Sequence, residues 1–391
     1  MKVLFLVTRF PVPPWRGDQV RAYHHLRLLA PRHEITCVAL VARQPPAAAR
    51  AEIQALGVRV EVVRLGLGDA AASLARVLRG DRRPLQVLLY SGRAARARVT
   101  RLMAGSDVVH AQLLRTLAHL PGSRPPAAVM DLIDALSMNL ARRAASEGAF
   151  VGRAAAWEAA RLRRCETELA RSGMPCLVVS ASERAALGDQ GNVRIVPNGV
   201  EAVAFPYVED GRPPARLVFG GNLGYFPNVD AAGWLARDIL ARVRTSVPAV
   251  ELRLVGARPA RAVRHLATMP GVSLAASVPA MAPELAASTV AIIPLRAGSG
   301  LQNKVLEAMA VGTPVVATSR AVAGLDVRAG EHVLVADDAA GLAQAVVELL
   351  GDPELRRRLA RAARALVERR YRWEDSAAGV EAAWHAAVGA P

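Results

Sequence analysis

Aromatic residues make up only 4% of the 391 residues although 52% are hydrophobic, so any core must be filled by Ala, Val and Leu. That balance excludes a disordered chain and suits an α/β or helical protein. No stretch reaches the roughly 18 consecutive apolar residues of a membrane span, which predicts a soluble chain. The apolar opening Lys2–Val7 stops at Thr8-Arg9 with no small-residue cleavage pattern soon after, so it reads as a buried strand rather than a signal peptide. Cysteine is scarce too: Cys37, Cys165 and Cys176 are odd in number and widely spaced. They make neither a disulfide framework nor a Cys-x-x-Cys metal site, and they suit structural thiols in a reducing cytoplasm. Lysine is scarcer still. Of 50 basic residues only Lys2 and Lys304 are lysines, so an interior lysine stands out against a background of arginine.

What is abundant is positive charge, a formal +16 with a sequence pI of 11.1. Such a balance suits nucleic acid, an anionic membrane surface or acidic substrates. The arginines, however, are spread over nearly every predicted helix, as at Arg161, Arg163, Arg164, Arg237, Arg242 and Arg356 to Arg358. Solvated helix faces explain that spread better than a nucleic-acid tract with interleaved aromatics. Attraction to an anionic bilayer, at the inner face of the membrane, is a milder role for the same charge.

Two length-wise halves emerge from the hydrophobic pattern. In the first, short apolar runs at 3–7, 35–41, 58–64, 107–111, 127–131 and 176–180 alternate with helical patterns at 18–30, 93–103 and a long stretch to about 171. A strand at 193–196 then runs into the turn Pro197-Asn198-Gly199. The second half repeats the alternation, with strands at 216–220, 250–255, 272–275, 289–294, 314–318 and 332–336. Its helices are expected at 229–245, 259–267, 283–287, 302–311, 339–350 and 353–368. This rhythm means βαβ units and parallel sheets. The stretch from Glu201 to Pro214 has no apolar period and reads as an interdomain linker. The expected division is therefore residues 1–205, 206–371 and a final helix over 372–391 that packs back on the first domain. A cleft between the domains is the expected ligand site.

The segment from Ala291 to Thr318 carries the most chemistry. A strand ends at Pro294, a loop carries Arg296, Gly298, Ser299 and Gly300, and a helix is expected to open at Leu301. Glycines entering a helix allow a diphosphate to approach unpaired amides at the positive end of the helix dipole. Arg296 before this cradle and Lys304 one turn into the helix supply cations for a diphosphate leaving group. Glu307, on the same helix face as Lys304, is an acceptor for vicinal hydroxyls such as those of a ribose. Each residue alone reads better as a turn glycine or half of a surface ion pair; the set together spells a nucleotide diphosphate.

The run from Gly298 to Ala317, Gly-Ser-Gly-Leu-Gln-Asn-Lys-Val-Leu-Glu-Ala-Met-Ala-Val-Gly-Thr-Pro-Val-Val-Ala, resembles the donor-site signature of GT-B glycosyltransferases of the retaining family-four group (glycosyl transferases group 1). Further resemblance lies in Phe10 to Gly17 with Arg21, in Asp107 to His110, Ser180 to Glu183, Pro197 to Val200 and Phe219 to Leu223. It implies an α/β fold of two Rossmann-like parallel-sheet domains facing across a cleft. It also implies sugar transfer from a nucleotide-diphosphate-sugar co-substrate, with retention, no further cofactor and no metal. Of the family's two donor-site glutamates, the second is Glu307, on the ribose; the first position holds Ser299. Gly17 would approach the diphosphate or acceptor, and His110 takes a site role, while Gln112 replaces a common histidine. The family's Arg and Lys after the first strand of the second domain are absent here. Arg296 and Lys304 are expected to take over their charge, with Asn222 offering a neutral hydrogen bond. Asp131 and Asp134 are candidate cleft carboxylates, yet capping of the following helix explains both equally well. The acceptor, whether glycan, lipid-linked sugar or small molecule, is not specified. The rival readings are a nucleotide-sugar epimerase or phosphorylase on the same frame, and a non-catalytic basic binding protein.

Overall fold

The structure is a computed structural model, and it describes residues 1–120, 127–146, 148–298 and 300–389. Among the described residues, thirteen strands form two sheets. The first holds β1 (Lys2–Val7), β2 (Glu34–Val41), β3 (Arg59–Arg64), β4 (Val108–Gln112), β5 (Ala127–Ile133), β6 (Cys176–Val178) and β7 (Val193–Ile195), in the order β3-β2-β1-β4-β5-β6-β7. The second holds β8 (Arg216–Gly220), β9 (Glu251–Gly256), β10 (Val272–Ala276), β11 (Val290–Ile293), β12 (Val315–Ala317) and β13 (Leu334–Val335), in the order β10-β9-β8-β11-β12-β13. The pairings within both sheets are parallel. Helices cover parallel strands on both faces, which is why β1, β4 and β11 read as almost unbroken apolar runs. The class is α/β with two parallel sheets, as expected.

The chain divides into one unit of Met1–Pro197 with Glu374–Pro391 and another of Asn198–Trp373. In the first unit the Trp373–Val388 helix contributes Val380, Ala383 and Trp384 to the core around β1, β2 and β4. Its polar residues are matched as well: Glu381 accepts from Arg32 and pairs with His33, both at 2.6 Å, and Ser376 Oγ lies 3.0 Å from His25 Nε2. The Trp384 indole N–H donates to His110 Nδ1 at 3.1 Å.

Several local expectations need correction. The long helical stretch is two helices, Leu136–Ser146 and Ala149–Arg171, because Gly148 adopts an extended conformation ahead of the second. Residues 65–90, for which the hydrophobic pattern gives no element, contain the helices Leu67–Leu78 and Leu85–Leu88. The helix expected at 229–245 starts earlier, at Phe226 with Pro227 in its first turn, and widens into a π-helical turn at Leu235–Ile239.

The largest correction concerns the expected linker and the break after 205. The units divide at Pro197, and the polar segment that follows belongs to the second unit. Val200 N–H donates to the Tyr371 carbonyl at 2.8 Å, and Val208 N–H to that of Val311 at 2.9 Å. Arg212 explains why so polar a stretch is ordered. Its Nη1 donates to the carbonyls of Leu285, Ala286 and Ser288 and to Thr313 Oγ1, and its Nη2 to the carbonyls of Val208 and Val311. One guanidinium thus satisfies carbonyls left over where the helices Ala282–Ala286 and Asn303–Val311 end.

Removing that guanidinium strands several half-buried carbonyls at once. Arg212→Met is expected to destabilise the protein by about 3 kcal/mol, and Arg212→Lys to recover little of it, since an ammonium cannot span the same fork of acceptors. Thermal or urea unfolding of the variants checks this; wild-type stability in Arg212→Met would refute it.

Candidate functional site

In an open parallel sheet, the loops beyond the carboxyl ends of two neighbouring strands part where the strand order reverses, and ligands bind in that crevice. In the second unit the reversal lies between β8 and β11. The loop after β8 carries Gly221 to Tyr225, and the loop after β11 leads to the Asn303–Val311 helix.

This helix is buried on nearly every side: Val305, Leu306 and Ala308 to Val311 all lie in the core. Asn303, Lys304 and Glu307 are its partly exposed residues, spaced so that they share one face. Its C-terminus is fixed by Gly312, whose φ of 77° is left-handed and whose missing Cβ leaves room for the Tyr207 ring. Its start differs from the expectation. Gln302 is extended, with φ −88° and ψ 93°, so the helix begins at Asn303 and Leu301 belongs to the loop. Gly298 and Gly300 have φ of 106° and 72°, which ends helical continuity on that side. Leu301 packs against the hydrophobic core. Ser299 lies outside the described residues.

Lys304 reaches from the helix to the β8 loop. Its Nζ donates to Asn228 Oδ1 at 2.5 Å and sits 4.8 Å from the centroid of the Phe219 ring. Asn228 in turn donates through Nδ2 to the Asn222 carbonyl at 2.9 Å. Asn222 Oδ1 accepts from Gly224 N–H at 3.1 Å, an Asx-type turn that shapes the loop. Gly221 (φ 141°) passes so close that a Cβ there would stand 3.0 Å from Lys304 Nζ. Burial brings the Lys304 ammonium down to about 8, with Glu307 acting the other way. Burial likewise pushes the Glu307 carboxyl up to about 7, opposed by Lys304. No hydrogen-bond donor among the described residues reaches the Glu307 carboxylate. It is an acceptor held at the edge of the core with its capacity unspent.

The structure does not group Arg296 with Lys304. The Arg296 guanidinium makes a two-pronged ion pair with Asp230, at 2.5 and 3.0 Å, and stacks over Trp234 with its carbon 4.8 Å from the ring centroid. There it lines a cavity with Val229, Trp234, Arg237 and Asp238. Its expected place on a diphosphate is therefore corrected for this conformation: a carboxylate on a neighbouring helix competes for the cation.

Gly17, His110 and Gln112 belong to the first unit. Gly17 opens the Gly17–Leu29 helix, after Arg16 in extended conformation, with open space around it. Gln112 is buried and donates to the Asp18 carbonyl at 3.1 Å, which ties β4 to that helix. His110, expected at the site, is fully buried and stacks on Phe5 with centroids 4.3 Å apart. Because an indole N–H can only donate, Trp384 makes Nδ1 of His110 the acceptor, leaving the proton on Nε2, which faces Asp131 Oδ2 at 3.6 Å. Burial lowers the affinity of this ring for a second proton. A ring so enclosed does not touch a substrate, and the expected site role of His110 is corrected to a packing one.

Asp131 is likewise no helix cap. It pairs with the fully buried Arg21 at 2.7 Å, and Arg21 also donates to the Val196 carbonyl at 2.9 Å. Burial alone would raise the Asp131 carboxyl, yet Arg21 holds it well below the usual carboxylate range. His25, His110 and Asp131 form a cluster of metal-ligand types among the described residues, but the Arg21 cation already occupies the carboxylate.

Comparison with known proteins agrees with this architecture. Residues 214–352 match the family described as Glycosyl transferases group 1. By sequence no curated protein matches the chain. Among solved structures, HepE of Anabaena in complex with UDP and glucose is 14% identical, with TM-score 0.68 and 98% of each chain covered. Sucrose-phosphate synthase from Thermosynechococcus elongatus is 16% identical, with TM-score 0.71 and 98% of each chain covered. WaaG, a glycosyltransferase involved in lipopolysaccharide biosynthesis, is 16% identical, with TM-score 0.66, covering 99% of this chain and all of that one. The match to the group 1 glycosyltransferases thus lies in the second unit, over residues 214–352, and the two parallel-sheet units, which follow these structures nearly end to end, have the GT-B fold.

Proposed function

We propose that this glycosyltransferase takes its sugar from a nucleotide-diphosphate donor and passes it to an acceptor with retention at the anomeric carbon, without a metal. The observation that carries the reading is the Lys304 and Glu307 pair on the sole polar face of a buried helix, at the reversal of strand order. Lys304 and the amides of Asn303 and Lys304 meet the diphosphate, whose charge grows as the sugar leaves. Glu307 accepts hydrogen bonds from vicinal ribose hydroxyls, for which its oxygens are free. Asn228 is a positioning residue: it holds the ammonium over the loop after β8. Arg296 reaches the donor only by leaving Asp230. With leaving group and acceptor on one face of the sugar, a diphosphate oxygen serves as base and no protein nucleophile is needed. UDP is the first donor base to try, since HepE structures hold UDP and UDP-glucose.

A metal-free thermal-shift panel of nucleotide diphosphates and their sugars tests the reading. One of them, at 100 times its dissociation constant, is expected to stabilise the protein by about 2.7 kcal/mol, a rise of several degrees. Glu307→Ala is expected to lose most of that rise. A wild type that responds to none at millimolar concentration refutes the donor site.

The pH dependence has a definite sign. The Glu307 carboxyl, raised to about 7, accepts hydroxyl bonds as an anion only above that pH, and the Lys304 ammonium, lowered to about 8, carries charge only below that one. Binding of a nucleotide-diphosphate sugar is thus expected to peak between the two values and fall on either side, as titration calorimetry across pH would show. A flat profile from pH 6 to pH 9 would contradict it.

Two substitutions isolate the positioning role of Asn228. Asn228→Leu removes the acceptor for the ammonium and is expected to weaken donor binding about tenfold. Asn228→Asp adds a negative charge beside it and is expected to move the alkaline fall to higher pH. A purely structural Asn228 would leave that limb in place.

A further inference from the structure

The exposed large apolar side chains of the first unit concentrate on two helices. On Leu67–Leu78, Leu67, Leu74 and Leu78 are 91%, 54% and 80% exposed, and Ala71 is exposed on the same stripe. Positions 67, 71, 74 and 78 recur at helical spacing, so this helix turns an apolar face to solvent. Its polar Ser73 faces inward, with the hydroxyl against the carbonyls of Asp69 and Leu88. A helix whose partner was the core alone would show the opposite arrangement. The Ala149–Arg171 helix repeats the pattern: Phe150 is 88% exposed, and Val151, Ala154 and Trp157 follow on the same exposed side.

Arg161 joins the two faces. Its guanidinium lies 4.2 Å over the Trp157 ring, and its Nε donates at 3.0 Å to the carbonyl of Arg82, just past the end of the Leu67–Leu78 helix. Exposed arginines flank both stripes. Among the described residues, Arg79, Arg82 and Arg153 have no ion-pair partner for their side chains.

We propose that this apolar and basic face is a peripheral docking surface for an anionic lipid bilayer. The leucines, Phe150 and Trp157 enter the boundary between headgroups and acyl chains, while the arginines meet the headgroup phosphates. Charge selects this occupant. A second copy of the chain would set one arginine rim against another, whereas the overall +16 favours an anionic surface. A helix of 12 residues is about 18 Å long, too short for a hydrocarbon core of about 30 Å, so it lies along the surface. The inference stands apart from the donor-site reading and concerns where the acceptor is met: an enzyme held this way works on acceptors carried at a membrane.

Co-sedimentation with vesicles tests it. Wild-type protein is expected to sediment with phosphatidylglycerol-containing vesicles at low salt, far less with pure phosphatidylcholine, and to be released by salt. The pairs Leu74→Ser with Leu78→Ser, and Phe150→Ser with Trp157→Ser, are each expected to lower vesicle binding about tenfold. Because the altered residues are exposed, the melting temperature and any shift with UDP should stay at wild-type values, which separates this result from a folding defect or a failed donor site. Wild type left in the supernatant, or variants that sediment like wild type, would overturn the proposal. So would light scattering that shows a wild-type dimer and monomeric variants, since the face would then join two copies.

Discussion

A cation drawn into a half-buried crevice loses hydration, and the second unit is arranged around that cost at Lys304. The ammonium is met by a neutral amide oxygen at Asn228, an aromatic face at Phe219 and a carboxylate one turn on at Glu307. None of these neutralises it outright, and Glu307 is itself raised by burial. Both groups are therefore held closer to neutral pH than in water. Much around the pair serves to hold it there: the buried sides of the Asn303–Val311 helix, the glycine at 221 that leaves room for the ammonium, and the glycine that stops the helix at 312.

Arginine does different work in the same protein. Arg212 and Arg21 are structural, one spanning carbonyls at two helix ends, the other pairing with Asp131 beneath the C-terminal helix. A guanidinium offers five donors in a fixed fork, so each satisfies several acceptors that a lysine would leave open. Arg296 is committed to a carboxylate, and the unpaired arginines of the first unit stand at its surface. The shortage of lysine is thus informative in a way the abundance of arginine is not: an ammonium can be brought near neutrality by burial, and a guanidinium hardly can.

The sequence was legible where local periodicity decides. Runs such as Lys2–Val7 and Val290–Ile293 are strands because their residues are apolar at every position, as burial on both sheet faces demands. The polar positions 303, 304 and 307 in an otherwise apolar helix mark its partly exposed face for the same reason. Local reading failed where a partner from a distant segment changes what a residue means. The segment from Glu201 to Pro214 looks like a free linker until Arg212 finds its carbonyls, and 65–90 looks irregular because its helix turns its apolar stripe outward.

By itself, then, the sequence determined the two parallel α/β halves, the family likeness and the helix that bears Lys304 and Glu307, because spacing along a helix or strand fixes which side chains share a face. Only the tertiary structure decided which candidates those faces meet. Arg296 is paired with Asp230, 66 residues away, and His110 lies under Trp384, 274 residues away. Such contacts depend on how separate elements pack, and no local period encodes them.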